Sequence, residues 1–235
     1  MINLRCIHRH TIDEHPACFV KGLVKGEAKR EEQPWYVRDG FKIGYLDIET
    51  DGLRADFSTM LTWCVKEKGG KVHHDAITKE ELFNGKTDQR ITQSLIDKMR
   101  EFKIIVTYYG TGFDLPFVRT KALRYNMDFP AYDIYTEYTK SGKEIIRIKP
   151  ELIHWDIYYT VKSKMNLSRK SLDNACDYLG IKGKTPIDKD VWRLAKYGDK
   201  SALKEVLVHN KADVEILEQL HDKLVKFAKW ERKGM

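Results

Sequence analysis

The chain has 235 residues, 42% hydrophobic and 33% charged, and its 42 Lys and Arg against 35 Asp and Glu leave a formal net charge of +7. Such a chain can bury the core of one domain with a small appendage, and no stretch approaches the roughly 18 uninterrupted apolar residues that a membrane span needs. The opening MINLRCIHRH has no apolar run of the secretory kind, so a cytoplasmic protein with no membrane partner is expected, its four cysteines (Cys6, Cys18, Cys64, Cys176) reduced.

Residues 1–40 read as an N-terminal Cys/His-rich segment followed by a linker, since KGLVKGEAKREEQPWYVRDG over 21–40 is charged and punctuated by glycine and proline. Cys6, His8, His10, His15 and Cys18 stand in the order CxHxHx4HxxC, more than the four ligands of a structural Zn²⁺ site. Cys6, His15 and Cys18 with His8 or His10 as the fourth are the expected set. A His-rich basic tail is the plainer alternative, because the paired CxxC of common zinc sites is missing.

The folded domain is expected over 41–235. FKIGYLDIE, TMLTWCVKE and KVHHDAI read as three strands of an antiparallel meander, with glycines marking the turn between the last two. TDQRITQSLIDKMREF has a helical period, KIIVTYYG returns to strand, and LPFVRTKALRYN is helical again. HWDIYYTV is a short strand or a helix start, and SRKSLDNACDYLG is an amphipathic helix closed by Gly180. From Lys200 to Trp230 the apolar positions Leu203, Val206, Leu207, Val214, Leu217, Leu220, Leu224 and Phe227 mostly recur at helical spacing, so a long closing helix, or two, is expected. This alternation calls for a mixed sheet with helices packed on it.

Against this background four acids stand out: Asp47 and Glu49 in GYLDIET, Asp114 in YYGTGFDLPF, and Asp213 in HNKADVEIL. Strand positions two apart, and helix positions four apart, share a face. Asp47 with Glu49, and His209 with Asp213, can therefore each present paired groups. Carboxylate oxygens are the hard ligands of Mg²⁺ and Mn²⁺, and a basic surface around an acidic cleft suits a polyanionic substrate. Plainer readings stand beside these: a solvated basic surface, Asp47 and Glu49 capping a turn, Asp114 capping the helix that starts LPF, and His209 on a helix surface. Tyr108, Tyr109 and Phe113 either stack on terminal bases of an unpaired strand or fill the core. Asn210 orients a phosphate or holds a helix contact. Lys162, Lys164, Arg169 and Lys170 either touch backbone phosphate or belong to a solvated loop. No glycine-rich phosphate loop and no nucleophile elbow is found.

The order DxE after a strand, then YxGxxFDxPF, then HNxxD on a late helix, resembles the DEDD 3′–5′ exonucleases of the ribonuclease H-like superfamily. Within them GDKSALKEVLVHNKADVEIL most resembles the YprB-like ribonuclease H-like domain family, over roughly residues 41–225. The resemblance implies an α/β ribonuclease H-like fold, a five-stranded mixed sheet with three strands antiparallel and the rest parallel, and helices on both faces. It also implies two-metal hydrolysis of phosphodiester bonds from the 3′ end of single-stranded DNA or RNA, DNA favoured, releasing nucleoside monophosphates. By the same resemblance Asp47 bridges two Mg²⁺ or Mn²⁺ ions, Glu49 and Asp213 complete the ion carrying the nucleophilic water, and Asp114 holds the second ion, partly through water. His209 takes the place of a tyrosine four residues before the last aspartate, as general base or water-positioner; a neutral imidazole accepts a proton near pH 7. The alternative is a nucleic-acid-binding or docking subunit of a replication, repair or processing complex, with weak or no nuclease activity.

Overall fold

The computed structural model of the chain describes residues 8–11, 13, 14, 16, 41–83, 85, 87–130, 132–139, 141, 142, 144–183 and 186–227. β1 (Ile43–Thr50), β2 (Met60–Glu67) and β3 (Val72–Ala76) form the expected antiparallel meander. Gly69, with φ +64°, lies in its second turn, where a side chain would be strained. The chain continues through α1 (Lys79–Phe83), α2 (Gln89–Met99), β4 (Ile104–Thr107) and α3 (Asp114–Arg124). A hairpin of β5 (Tyr132–Tyr138) and β6 (Glu144–Pro150) follows, then β7 (Ile153–Asp156), α4 (Ile157–Lys164), α5 (Leu172–Tyr178), α6 (Lys189–Lys196) and α7 (Lys200–Leu224). One 3₁₀ turn, Val225–Phe227, ends the described chain.

The main sheet has the order β3-β2-β1-β4-β7, with β4 parallel to β1 and β7 parallel to β4. This is the five-stranded mixed sheet that was expected, with three antiparallel strands on one side and parallel strands on the other. HWDIYYTV turns out to be both strand and helix: Ile153–Asp156 completes the sheet, and Ile157 starts α4 behind Asp156 as N-cap. The hairpin and α6 fall where the sequence reading assigned no element. α6 starts behind Asp188, whose side chain accepts the Asp190 amide hydrogen.

Alternation along β1 divides the interior. Ile43 and Tyr45 face one core with Val161 of α4, Cys176 of α5 and Val214, Leu217 and Leu220 of α7. Leu46 and Ile48 face the other with Ile91, Leu95 and Ile96 of α2 and Leu115 and Val118 of α3. Helices therefore cover both faces. Burying an aliphatic side chain contributes roughly 1.5–3 kcal/mol, so the buried Ile91, Leu95, Ile96 and Met99 hold α2 more firmly than any cap.

Asp88, just before α2, makes no capping hydrogen bond. Its carboxylate lies fully buried against Lys121 of α3, with Oδ2 2.8 Å from Nζ. Oδ2 also accepts the Met60 amide hydrogen at 3.1 Å and Oδ1 the Tyr125 hydroxyl at 2.5 Å, while Lys121 donates to the Ser58 carbonyl at 2.6 Å. Every strong group of this buried pair is satisfied, as a buried charge requires. The pair ties α2 and α3 to the loop entering β2.

Cys64 and Cys176 are both buried. Among the described residues no helix is long and apolar enough to cross a membrane. The linker expected over 21–40 lies outside the described residues.

Candidate active site

Continuing the series of Ile43 and Tyr45, Asp47 and Glu49 stand on the face of β1 that α7 covers. Asp47 lies opposite Cys64 and Glu49 opposite Thr62, and the register to β2 shifts directly after Glu49. Such an irregularity bends a strand end and re-aims its side chains, and it recurs beside functional sites. α7 carries His209, Asn210 and Asp213, all buried. His209 Nε2 sits 3.7 Å from Glu49 Oε1 and 3.7 Å from Asp213 Oδ2. Glu49, His209 and Asp213 each place one ligand atom within 4.8 Å of the others. At 8% exposure His209 is not a surface helix residue; the Trp192 ring of α6 stands edge-on to it, centroids 6.5 Å apart.

Asn210, next to His209 on α7, joins the same site. Its Nδ2 donates to Asp47 Oδ2 at 2.5 Å, fixing the Asp47 carboxylate against α7. Asp114 is the first residue of α3 and does not cap it, since Phe113 occupies the capping position without a side-chain bond. Its Oδ1 instead accepts the Ile48 amide hydrogen at 3.2 Å, which pins the start of α3 onto β1.

Electrostatics shows how closely the acids crowd. The Asp47 carboxyl is held well above the usual carboxylate range by burial first, then by the charges of Glu49, Asp114 and Asp213, with the Asn210 hydrogen bond opposing. Asp114 is pushed up to about 7, chiefly by burial and further by Asp156, against amide hydrogen bonds that favour its ionised form. Buried like charges raise one another's pKa because neither is neutralised. A divalent cation is the natural countercharge for this crowd of carboxylates.

The loop between β4 and Asp114 is organised by a residue the sequence reading did not single out. Asp156, ending β7, accepts amide hydrogens from Tyr109, Thr111 and Tyr158. Its signal was available: an acid closing an apolar strand directly before a helix. Within the loop Tyr109 is 47% exposed, whereas Phe113 is partly buried against the second core and belongs to packing as much as to any substrate surface. Tyr108 is fixed by donating to the Lys170 carbonyl at 2.6 Å.

Of the residues expected to ligate zinc, His8 and His10 are described; both are exposed, with ring centroids 6.4 Å apart. Cys6, His15 and Cys18 lie outside the described residues.

A family model described as the RNase_H superfamily matches residues 44–225. A DNA polymerase of Methanocaldococcus jannaschii is 29% identical over 115 residues, spanning 46% of this chain and 7% of that protein. The structure of the family B DNA polymerase from the hyperthermophilic archaeon Pyrobaculum calidifontis is similar with a TM-score of 0.60 at 17% identity, over 83% of this chain and 25% of that chain. At that identity the likeness shows the fold, and the chain spans only a minor share of either polymerase.

Proposed function

This chain belongs to the RNase_H superfamily, and from that membership we propose that it is a metal-dependent 3′–5′ exonuclease acting on single-stranded nucleic acid, DNA before RNA, and releasing nucleoside monophosphates. The observation that carries this reading is the convergence of Asp47, Glu49, Asp114 and Asp213 with His209 where β1, α3 and α7 meet. The likeness to two DNA polymerases supports DNA as the substrate.

Asp47, Glu49, Asp114 and Asp213 would hold two Mg²⁺ or Mn²⁺ ions. Bound there, the metals supply an activated water and charge stabilisation for the leaving oxygen. His209 Nε2, facing Glu49 and Asp213, takes the proton from the attacking water. Asn210 keeps Asp47 oriented through its Nδ2 hydrogen bond. Tyr109, exposed on the loop running into Asp114, offers a ring to a terminal base.

The test is incubation of 5′-labelled single-stranded DNA and RNA with Mg²⁺, with Mn²⁺ and with chelator, beside Asp47→Ala. A metal-dependent ladder that shortens from the 3′ end and is lost in the variant is the expected result. Intact substrates under every condition, despite tight binding, would instead favour a docking subunit of a replication or repair complex.

A further inference from the structure

Asp156 has no part in the hydrolysis just described, yet three amide hydrogens converge on it. Oδ1 accepts from Tyr109 at 2.8 Å and from Tyr158 at 3.1 Å, and Oδ2 accepts from Thr111 at 2.9 Å. An aspartate side chain offers acceptors on both oxygens; an asparagine would turn an NH₂ donor toward one of these donors. Two of the three belong to the loop that runs from β4 into Asp114.

In that loop Tyr109 has φ +65°, a conformation that any residue with a Cβ disfavours. Its ring stays 47% exposed. Gly112 leaves room for that ring, since a Cβ there would lie 2.5 Å from Tyr109 Cζ. Tyr158 props the ring edge-on, centroids 4.9 Å apart, and Lys162 Nζ stands 6.0 Å from the Tyr158 ring centroid. Packing alone gives no reason to strain a backbone in order to keep an aromatic ring in water. Exposed aromatics beside cations are the means by which proteins hold unpaired strands.

We propose that Asp156 is a positioning residue that holds Tyr109 as a stacking platform for an unpaired base of a nucleic-acid strand, with Lys162, which stands over the Tyr158 ring that props it, for the backbone phosphate. The proposal rests on the nucleic-acid reading above but concerns binding, so it is tested without hydrolysis. A fluorescein-labelled oligothymidylate is titrated in chelator against the wild-type chain, Tyr109→Ala, Asp156→Asn and the double variant. Each single variant weakens binding about 10-fold, the scale of one stacked base. The double variant binds no more weakly than the weaker single one, because Asp156 acts through Tyr109. Gly112→Ala, which displaces the ring without touching Asp156, reproduces the loss and serves if Asp156→Asn does not fold.

Unchanged affinity in Tyr109→Ala or Gly112→Ala overturns the proposal, as do independent, multiplying losses in the double variant or a wild-type chain that binds no oligonucleotide. The two readings fail separately. Metal-dependent cleavage with wild-type binding by Asp156→Asn removes the positioning role of Asp156 and leaves the nuclease. The expected binding cycle without any cleavage does the reverse.

Discussion

Replacing Asp114 by Asn separates charge from shape at the site. The Asp114 carboxyl is 3% exposed and raised from 3.8 to about 7, chiefly by burial. A carboxyl whose pKa rises on folding favours the folded state while protonated; that contribution is complete below 3.8 and is lost as pH climbs to about 7. One pKa unit is about 1.4 kcal/mol, so above neutrality, without metal, the ionised group disfavours the fold by a few kcal/mol. Asn keeps an oxygen for the Ile48 amide and carries no charge. In chelator at about pH 8, Asp114→Asn is therefore expected to be about 2–4 kcal/mol more stable than the wild type, the two coinciding near pH 4.

Urea unfolding followed by tryptophan fluorescence measures this. The slope of either protein alone misleads, because His154 and His221 pull the other way. Burial depresses their pKa to about 4 and about 3, so their contribution is present above 6.5 and is lost as pH falls. The difference between the two proteins cancels the histidines and leaves Asp114 with its effect on Asp47. Mg²⁺ or Mn²⁺ at about 100 times its Kd should then add about 2.7 kcal/mol to the wild type, and less to the variant. Equal stabilities at about pH 8 in chelator, or a stronger metal response in Asp114→Asn, would refute the account of these acids as a charge-strained metal site.

Asp47→Ala should lower metal-dependent cleavage about 10³-fold or more, since the loss of metal-held charge stabilisation amounts to several kcal/mol; near-normal turnover would place the chemistry elsewhere. His209→Ala should reduce kcat about 10²–10⁴-fold with little change in KM, and a change confined to KM would make His209 a binding residue instead. Lys121→Met leaves Asp88 buried without its cation and should cost about 3–5 kcal/mol of stability; a loss under about 1 kcal/mol would show that the Met60 and Tyr125 hydrogen bonds suffice for the carboxylate. Zinc retained by chelator-washed protein and lost in Cys18→Ala is expected for the Cys/His segment, and negligible zinc in both ends that idea.

The sheet and its long helices were legible because each rests on a period: an alternating apolar series in β1, and three- and four-residue spacings along α7. The four acids were legible because their order in the chain carries information before any contact is known. Asn210 was undecidable between phosphate and helix contact, since only the packing of α7 on β1 brings its Nδ2 to Asp47. Asp156 and the Lys121–Asp88 pair were missed for the same reason. Their partners sit on other elements, and an isolated Asp before a helix reads first as a cap. Asp156 is indeed that cap, and it uses the remaining acceptor capacity on the loop beside it. Asp88, at an equivalent position before α2, caps nothing and pairs inward.

The proposed constellation joins β1, the first described strand, to α7, the last described α-helix, so no contiguous segment of the chain can hold it. Closing α7 over β1 brings Asp213 to Asp47 and Glu49 and sets like charges against one another. The hydrophobic contacts of Val214, Leu217 and Leu220 drive that closure, while the acids resist it unless they are protonated or neutralised. If the proposed metals bind there, their binding and the docking of α7 would be two parts of one equilibrium, each stabilising the other. The helix that completes the fold is also the one that completes the site.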